Sequence, residues 1–119
     1  MVPGMGEPSA ECLFCSIVAG SVPATKRYED EHCLAFEDLN PQAPTHVLVV
    51  PKKHFTDVAD LARDPDAAAG LLAGVRAFVG QEGLTDFRTV FNTGVEVGQS
   101  VFHTHAHVLA GRPMGWPPG

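Results

Sequence analysis

Between residues 98 and 111 the chain reads GQSVFHTHAHVLAG. His103, His105 and His107 alternate there with Thr104 and Ala106. Alternation with period two belongs to a β-strand, whose successive side chains point to opposite faces of the pleat. On a strand the three imidazoles share one face, roughly 6.5–7 Å apart along the chain. On a helix they scatter around the cylinder. The stretch therefore calls for a sheet with one face open to a row of imidazoles. Such a row can hold a metal, exchange protons near neutral pH, or present one ring as a nucleophile. Three solvated histidines, or a fortuitous metal-binding tract, are the plain alternatives. The turn Gly98-Gln99-Ser100 places small, donor-rich groups beside the row and favours a site.

The rest of the chain has to supply that sheet. At 119 residues it predicts one domain. Hydrophobic residues make up 45% and charged residues 18%, which fits a globular fold rather than a disordered one. The net charge of −6, with no basic run, excludes broad binding to a nucleic-acid backbone. One phosphate of a small nucleotide could still be held by backbone N–H groups and a few histidines. No run of 18 apolar residues suggests a membrane helix. The start, MVPGMGEPSAE, has neither a basic residue nor an apolar core and does not read as a signal peptide, so a cytoplasmic chain is expected. Three cysteines in such a chain do not suggest a disulfide framework.

Residues 1–9 read as a mobile lead-in and 10–119 as a single domain, with an irregular, proline-rich tail over 112–119. A short helix is expected over 11–19, stopped by Gly20, with Leu13, Phe14, Ile17 and Val18 on its apolar face. Strands over 26–29 and 33–37 flank a polar connection and suggest a hairpin. Residues 38–44 form a turn-rich loop. The nearly continuous apolar run 46–50 suits a central strand. A long helix is predicted within 61–82, capped by Asp64, with Pro65 in its first position and Gly83 as its stop. Its stripe Leu71, Leu72, Val75, Phe78 and Val79 is expected to pack on the sheet. A further strand over 87–91 and the turn Asn92-Thr93-Gly94 lead back to the histidine strand.

His105 is the central ring of the row. A neutral imidazole attacks phosphorus well, and its phosphoryl adduct is labile enough to be hydrolysed. His107 could then hold a phosphate oxygen and Ser100 donate to the leaving group. The backbone of residues 98–101 could supply N–H donors to developing charge. His46, at the start of another strand, could complete the ring or be an ordinary strand-end histidine. A second constellation is Cys12-x-x-Cys15. One such pair offers two zinc ligands, and His54 and His103 are the best candidates for the other two. A redox pair and two inert small hydrophobes are the alternatives. Cys33, in a strand, reads as a core residue.

The run His103-Thr104-His105-Ala106-His107-Val108-Leu109 resembles the signature of the histidine triad (HIT) family, in which histidines alternate with apolar residues. The segments 36–46 and 50–54 are similar to the same family, so the resemblance extends from about Cys12 to Gly119. The ending Met114-Gly115-Trp116-Pro117-Pro118-Gly119 resembles the Hint branch, the nucleoside phosphoramidase-like members. The resemblance implies an α+β fold with a five-stranded antiparallel sheet, one long and one short helix, and a homodimer whose tails, with Trp116, reach the partner's site. It implies binding of purine nucleoside monophosphates and hydrolysis of adenosine-type 5′-phosphoramidates through a nucleotidyl-histidine intermediate. By position, His105 matches the nucleophile, with His46, His103 and His107 around it and Ser100 near the leaving amine. Asp38 matches the carboxylate that grips the ribose hydroxyls. Phe14, Ile17, Val22 and Leu39 match the apolar base pocket, and Asn92, Gln99 and Val101 the ribose and phosphate lining. Two alternatives are a dinucleoside polyphosphate hydrolase and a nucleotide-binding regulatory module with vestigial catalysis. Two features depart from the pattern. Thr104 is less apolar than the signature prefers. Cys12 and Cys15 resemble the zinc pair of some bacterial members, in which the first triad histidine is a ligand.

Overall fold

The computed structural model describes residues 11–119. The lead-in expected over residues 1–9 lies outside the described residues. Among the described residues nine elements follow one another: α1 (Leu13–Val18), β1 (Lys26–Glu29), β2 (Cys33–Glu37), β3 (Thr45–Pro51), α2 (Val58–Leu61), α3 (Pro65–Gln81), β4 (Phe87–Val90), a 3-10 turn (Val95–Val97) and β5 (Ala106–Ala110). The five strands form one antiparallel sheet in the order β1-β2-β3-β5-β4. The apolar run of β3 is the middle strand, as its composition requires.

Strand alternation sorts the core into two layers. Cys33, Ala35, Val47, Val49, Ala106 and Val108 share the face covered by α3, where they pack with Leu71, Val75, Phe78 and Val79. Leu34, Phe36, Leu48 and Val50 point the other way and pack with Phe14 and Ile17 of α1. β2 and β3 are thus apolar on both faces although the sheet is antiparallel. Leu72 departs from the expected stripe and is 59% exposed. It lies one position off the α3 residues that meet the sheet, so the helical arc has already turned it to solvent.

The turns follow from local chemistry. Asp30 closes the β1–β2 hairpin, its Oδ1 accepting from the backbone N–H of His32 at 2.7 Å and of Cys33 at 2.9 Å. Asp64 caps α3 by accepting from the Ala67 N–H at 3.1 Å, with Pro65 in the first turn. At the other end Gly83 adopts φ +67°, and the N–H groups of Leu84 and Gly83 return to the carbonyls of Val79 and Gly80 at 2.9 and 3.2 Å. That is a Schellman stop, which needs a left-handed residue just past the helix. Gly74 has a different reason. A Cβ built there would meet the Cys33 Sγ at 2.1 Å, so only glycine lets α3 lie this close to β2.

The histidine stretch departs from the predicted strand. β5 begins only at Ala106, so His107 alone of the three lies in regular pairing. Residues 101–105 instead bend across the 55–57 loop. The Thr104 N–H donates to the Phe55 carbonyl at 2.6 Å, and its hydroxyl lies 3.0 Å from that carbonyl and 2.8 Å from the Asp57 carbonyl. Thr104 is therefore buried and polar for a reason: its hydroxyl fastens the bend. The alternation of faces still persists: the His103 and His105 rings both meet Phe14, at 6.0 and 5.1 Å between centroids, and His105 meets His107 at 5.0 Å.

Candidate functional site

On the α1 side of the sheet a cleft of about 290 Å³ opens. Phe14, Ile17, Val22 and Phe36 give it an apolar floor, and Asp38, Ser100, His105 and His107 a polar wall. Leu39, Asn92 and Val101 also line it. Leu39 is fully exposed and forms only the rim. Leu13 and Leu48 belong to the lining too, although neither carries a sequence signal beyond apolarity. Among the described residues no lysine or arginine lines the cleft. A larger depression of about 670 Å³ runs between β4 and the tail, but no histidine or cysteine lines it.

The proton on each imidazole follows from what its other nitrogen meets, because a carbonyl only accepts and a backbone N–H only donates. His105 Nδ1 lies 2.8 Å from its neighbour His103's carbonyl, so Nδ1 carries the hydrogen and Nε2 keeps a lone pair. His46 Nδ1 accepts from the Gln42 N–H at 3.0 Å, so the hydrogen of neutral His46 is on Nε2. That Nε2 lies 2.9 Å from His107 Nδ1 and 3.4 Å from Asp38 Oδ2. His107 therefore accepts at Nδ1 and carries its own hydrogen on Nε2. Register explains the encounter: His46 pairs with Leu109 and Leu48 with His107, so the two histidines are diagonal neighbours on one face. Burial pushes His107 down to about 4, with the rings of His105 and His46 adding to it. Burial also holds His46 below its ordinary value, against the pull of Asp38. Both rings are neutral at neutral pH.

His103 belongs to a second cluster. Its Nε2–H donates to the Pro51 carbonyl at 2.8 Å, which turns the Nδ1 lone pair toward Cys12 Sγ, Cys15 Sγ and His54 Nδ1 at 3.4, 3.4 and 3.2 Å. His54 Nδ1 is 3.3 Å from Cys15 Sγ. Zinc bonds of about 2.0–2.1 Å to nitrogen and 2.3 Å to sulfur set tetrahedral ligands about 3.3–3.8 Å apart, close to this spacing. Burial holds His103 down at about 4 and lowers His54 as well, keeping both lone pairs available. The donor set and the carbonyl behind His103 fit a structural zinc.

Asp38, His46 and His107 form a second group within metal-ligand distance of one another. Here the far nitrogen argues the opposite way. The Gln42 N–H occupies His46 Nδ1 and leaves a hydrogen on Nε2, the atom that would have to ligate. This group is built to pass or share protons rather than to hold a cation.

The sequence-predicted residues are thus divided among the Cys12–Cys15–His54–His103 cluster, the cleft and the structure behind it. His105, His107, Ser100, Asp38, Asn92, Val101, Phe14, Ile17 and Val22 meet at the cleft, with Leu39 at its edge. His46 stands behind His107. Gln99 is 3% exposed and does not line the cleft. Its Oε1 accepts from the Gly94 N–H at 2.9 Å and its Nε2 donates to the Thr56 carbonyl at 2.7 Å, bracing the loop that carries Ser100. Cys33 is a core residue, as expected. Burial and the nearby Asp30 carboxylate push its thiol up to about 12, which makes it unreactive. Besides the apolar lining residues Leu13, Phe36 and Leu48, sequence reasoning missed main-chain atoms, the carbonyls of Pro51 and His103 and the Gln42 N–H, for which composition carries no signal.

Known proteins share this sequence pattern and fold. Residues 19–114 match the HIT domain. An uncharacterized HIT-like protein of Synechococcus elongatus is 46% identical over 113 residues, covering 93% of this chain and 99% of its own. A 14 kDa zinc-binding protein of Zea mays is 46% identical over 111 residues, covering 90% of this chain and 87% of its own. A crystal structure of a HIT family hydrolase from Legionella pneumophila superposes with a TM-score of 0.86 at 46% identity, covering 92% of this chain and 100% of that one. The chain belongs to the HIT family.

Proposed function

We propose that the cleft binds a purine nucleoside 5′-monophosphate group and that the protein hydrolyses nucleoside 5′-phosphoramidates in two steps. The observation that carries this reading is the hydrogen bond from His105 Nδ1 to the His103 carbonyl, which leaves a lone pair on Nε2 of a ring lining the cleft. In the first step Nε2 attacks phosphorus, the P–N bond breaks, and the amine departs with a proton. In the second, water attacks phosphorus, the P–Nε2 bond breaks, and the nucleoside monophosphate leaves. His107 Nε2–H is suited to a phosphate oxygen, and His46 fixes that tautomer from behind. Ser100 would stand near the leaving amine. With no lysine or arginine among the described lining residues, the imidazoles, Ser100, Asn92 and backbone N–H groups are the donors left to carry the phosphate. The apolar floor suits a purine, and Asp38 at the opening can accept from two ribose hydroxyls.

Zinc, in this reading, is held by Cys12, Cys15, His54 and His103 and supplies structure, not chemistry at phosphorus. His103 is then a ligand, and its carbonyl orients His105. The protein is proposed to act as a homodimer, with the exposed Trp116 of each tail available to the partner's site.

The test is release of AMP from adenosine 5′-phosphoramidate. His105→Asn is expected to abolish it, and undiminished turnover would overturn the nucleophile assignment. A faster rate on a diadenosine polyphosphate would favour that substrate class instead. AMP binding without turnover on any P–N substrate would leave a regulatory module.

A further inference from the structure

α1 has only six residues, too few for a helix to hold without tertiary anchors. It has two anchors, and they point to different sites. Cys12, its N-cap, and Cys15 reach the His54–His103 cluster. Phe14 and Ile17 reach the cleft, where they are 4% and 6% exposed. Between the two sites stands the Phe14 ring. It meets His103 edge-on at 6.0 Å between centroids, His105 at 5.1 Å and Phe36 at 5.4 Å. His103 and His105 are joined again through the His103 carbonyl. Whatever fixes His103 therefore fixes the ring that walls the cleft and the carbonyl that sets the His105 tautomer. The packed interior transmits such a constraint because it has no slack to absorb it.

We propose that the Cys12–Cys15–His54–His103 cluster and the nucleotide cleft are energetically coupled, with Phe14 as the positioning residue between them. This rests on the zinc and nucleotide readings above and goes beyond both. Zinc at the cluster pins α1 and pre-forms the apolar wall, so the nucleotide no longer has to order it. Linkage makes the effect reciprocal: the factor by which zinc tightens nucleotide binding equals the factor by which nucleotide tightens zinc binding.

The experiment uses AMP, which is bound without turnover. Its Kd is measured by calorimetry on zinc-loaded protein and on protein stripped by a chelator, with circular dichroism reporting the fold of each. The stripped protein is expected to stay folded on its two apolar layers and to bind AMP about tenfold more weakly, within the usual range of coupling between sites. Zinc affinity, measured by competition with a chelating dye, should rise by the same factor when AMP is present. Phe14→Leu should still bind zinc, bind AMP more weakly in both forms, and bring the ratio of the two Kd values toward one. Equal AMP Kd values with and without zinc in the native chain would overturn the coupling alone. Absence of AMP binding in both forms would overturn the nucleotide reading and the coupling with it. Failure of the native chain to take up zinc, or global unfolding on stripping, would overturn the local link through α1. An unchanged ratio in Phe14→Leu would remove Phe14 from its place in it.

Discussion

The approach of α3 to the sheet sets the depth of the whole domain, and Gly74 is where it can be tested with numbers. An alanine Cβ at this position would lie 2.1 Å from the Cys33 Sγ. Ordinary contact needs roughly 3.5–4 Å, so about 1.5 Å must be recovered by moving the helix or the thiol. Cys33 has no exposed surface and its strand is paired on both sides, so the helix must give. Overpacking of this kind costs about 1–3 kcal/mol. The intrinsic gain of alanine over glycine in a helix returns roughly 0.5–1 kcal/mol. A net loss of about 1–2 kcal/mol is expected for Gly74→Ala. Cys33→Ala alone should cost about 1 kcal/mol for the buried sulfur it removes. In the double variant the nearest atoms to the new methyl are the residue 33 Cβ at 3.5 Å and Val49 Cγ1 at 3.8 Å, both ordinary contacts. The double variant should therefore regain nearly native stability, with a coupling of about 2 kcal/mol. Urea denaturation of the four proteins, with unchanged slopes, measures this cycle. Additive losses in the double variant would refute the contact.

Two further outcomes follow from the site. His103 and His107 are held near 4, mainly by burial, whereas an unfolded chain titrates its histidines near 6.5. Between those values the unfolded state binds more protons, so the stability of the metal-free protein should fall as pH drops from about 6.5 toward 4, and the lowered carboxyls of Glu29, Asp30 and Asp64 carry the loss further below that. Urea midpoints across that window check the sign, and a flat profile would contradict it. Gln99→Ala strands the Gly94 N–H and the Thr56 carbonyl at the base of the Ser100 loop. It should cost about 1–3 kcal/mol in the same assay.

Much of the architecture was legible because it is written in local chemistry. The capping of α3 by Asp64 and its stop at Gly83 need only residues within one helical turn. The β3 run is apolar on both faces and occupies the middle of the sheet. The Cys12/Cys15 pair called for two more candidate ligands, and the His54 and His103 side chains lie close enough to it to share a metal ion. The failures are of two kinds. Alternation at His103, His105 and His107 imitates a strand, but residues 101–105 obey carbonyls of the 55–57 loop, which are distant in sequence. Gln99 matches a ribose and phosphate lining position by resemblance, yet the Gly94 and Thr56 backbones claim both ends of its side chain. Leu72 shared the apolar composition of its stripe but not the angle. For the histidine bend and Gln99 the deciding partner was a main-chain atom supplied by folding, which residue identity does not report; for Leu72 it was the angle around the helix.

The same main-chain atoms bear on how such a site could be moved to another scaffold. Transplanting His46, His103, His105 and His107 as side chains, with their ring positions matched, would not carry their protons with them. The Pro51 and His103 carbonyls and the Gln42 N–H decide which nitrogen of each ring is a base and which is an acid. A graft lacking them could reproduce every ring coordinate and still present His105 with a hydrogen on Nε2 in place of its lone pair. Side-chain substitution at Pro51 or Gln42 leaves those polar groups largely in place, so a mutational scan would pass over them. The chemistry of this cleft is specified by the route of its backbone, and a design that copies it must copy that route first.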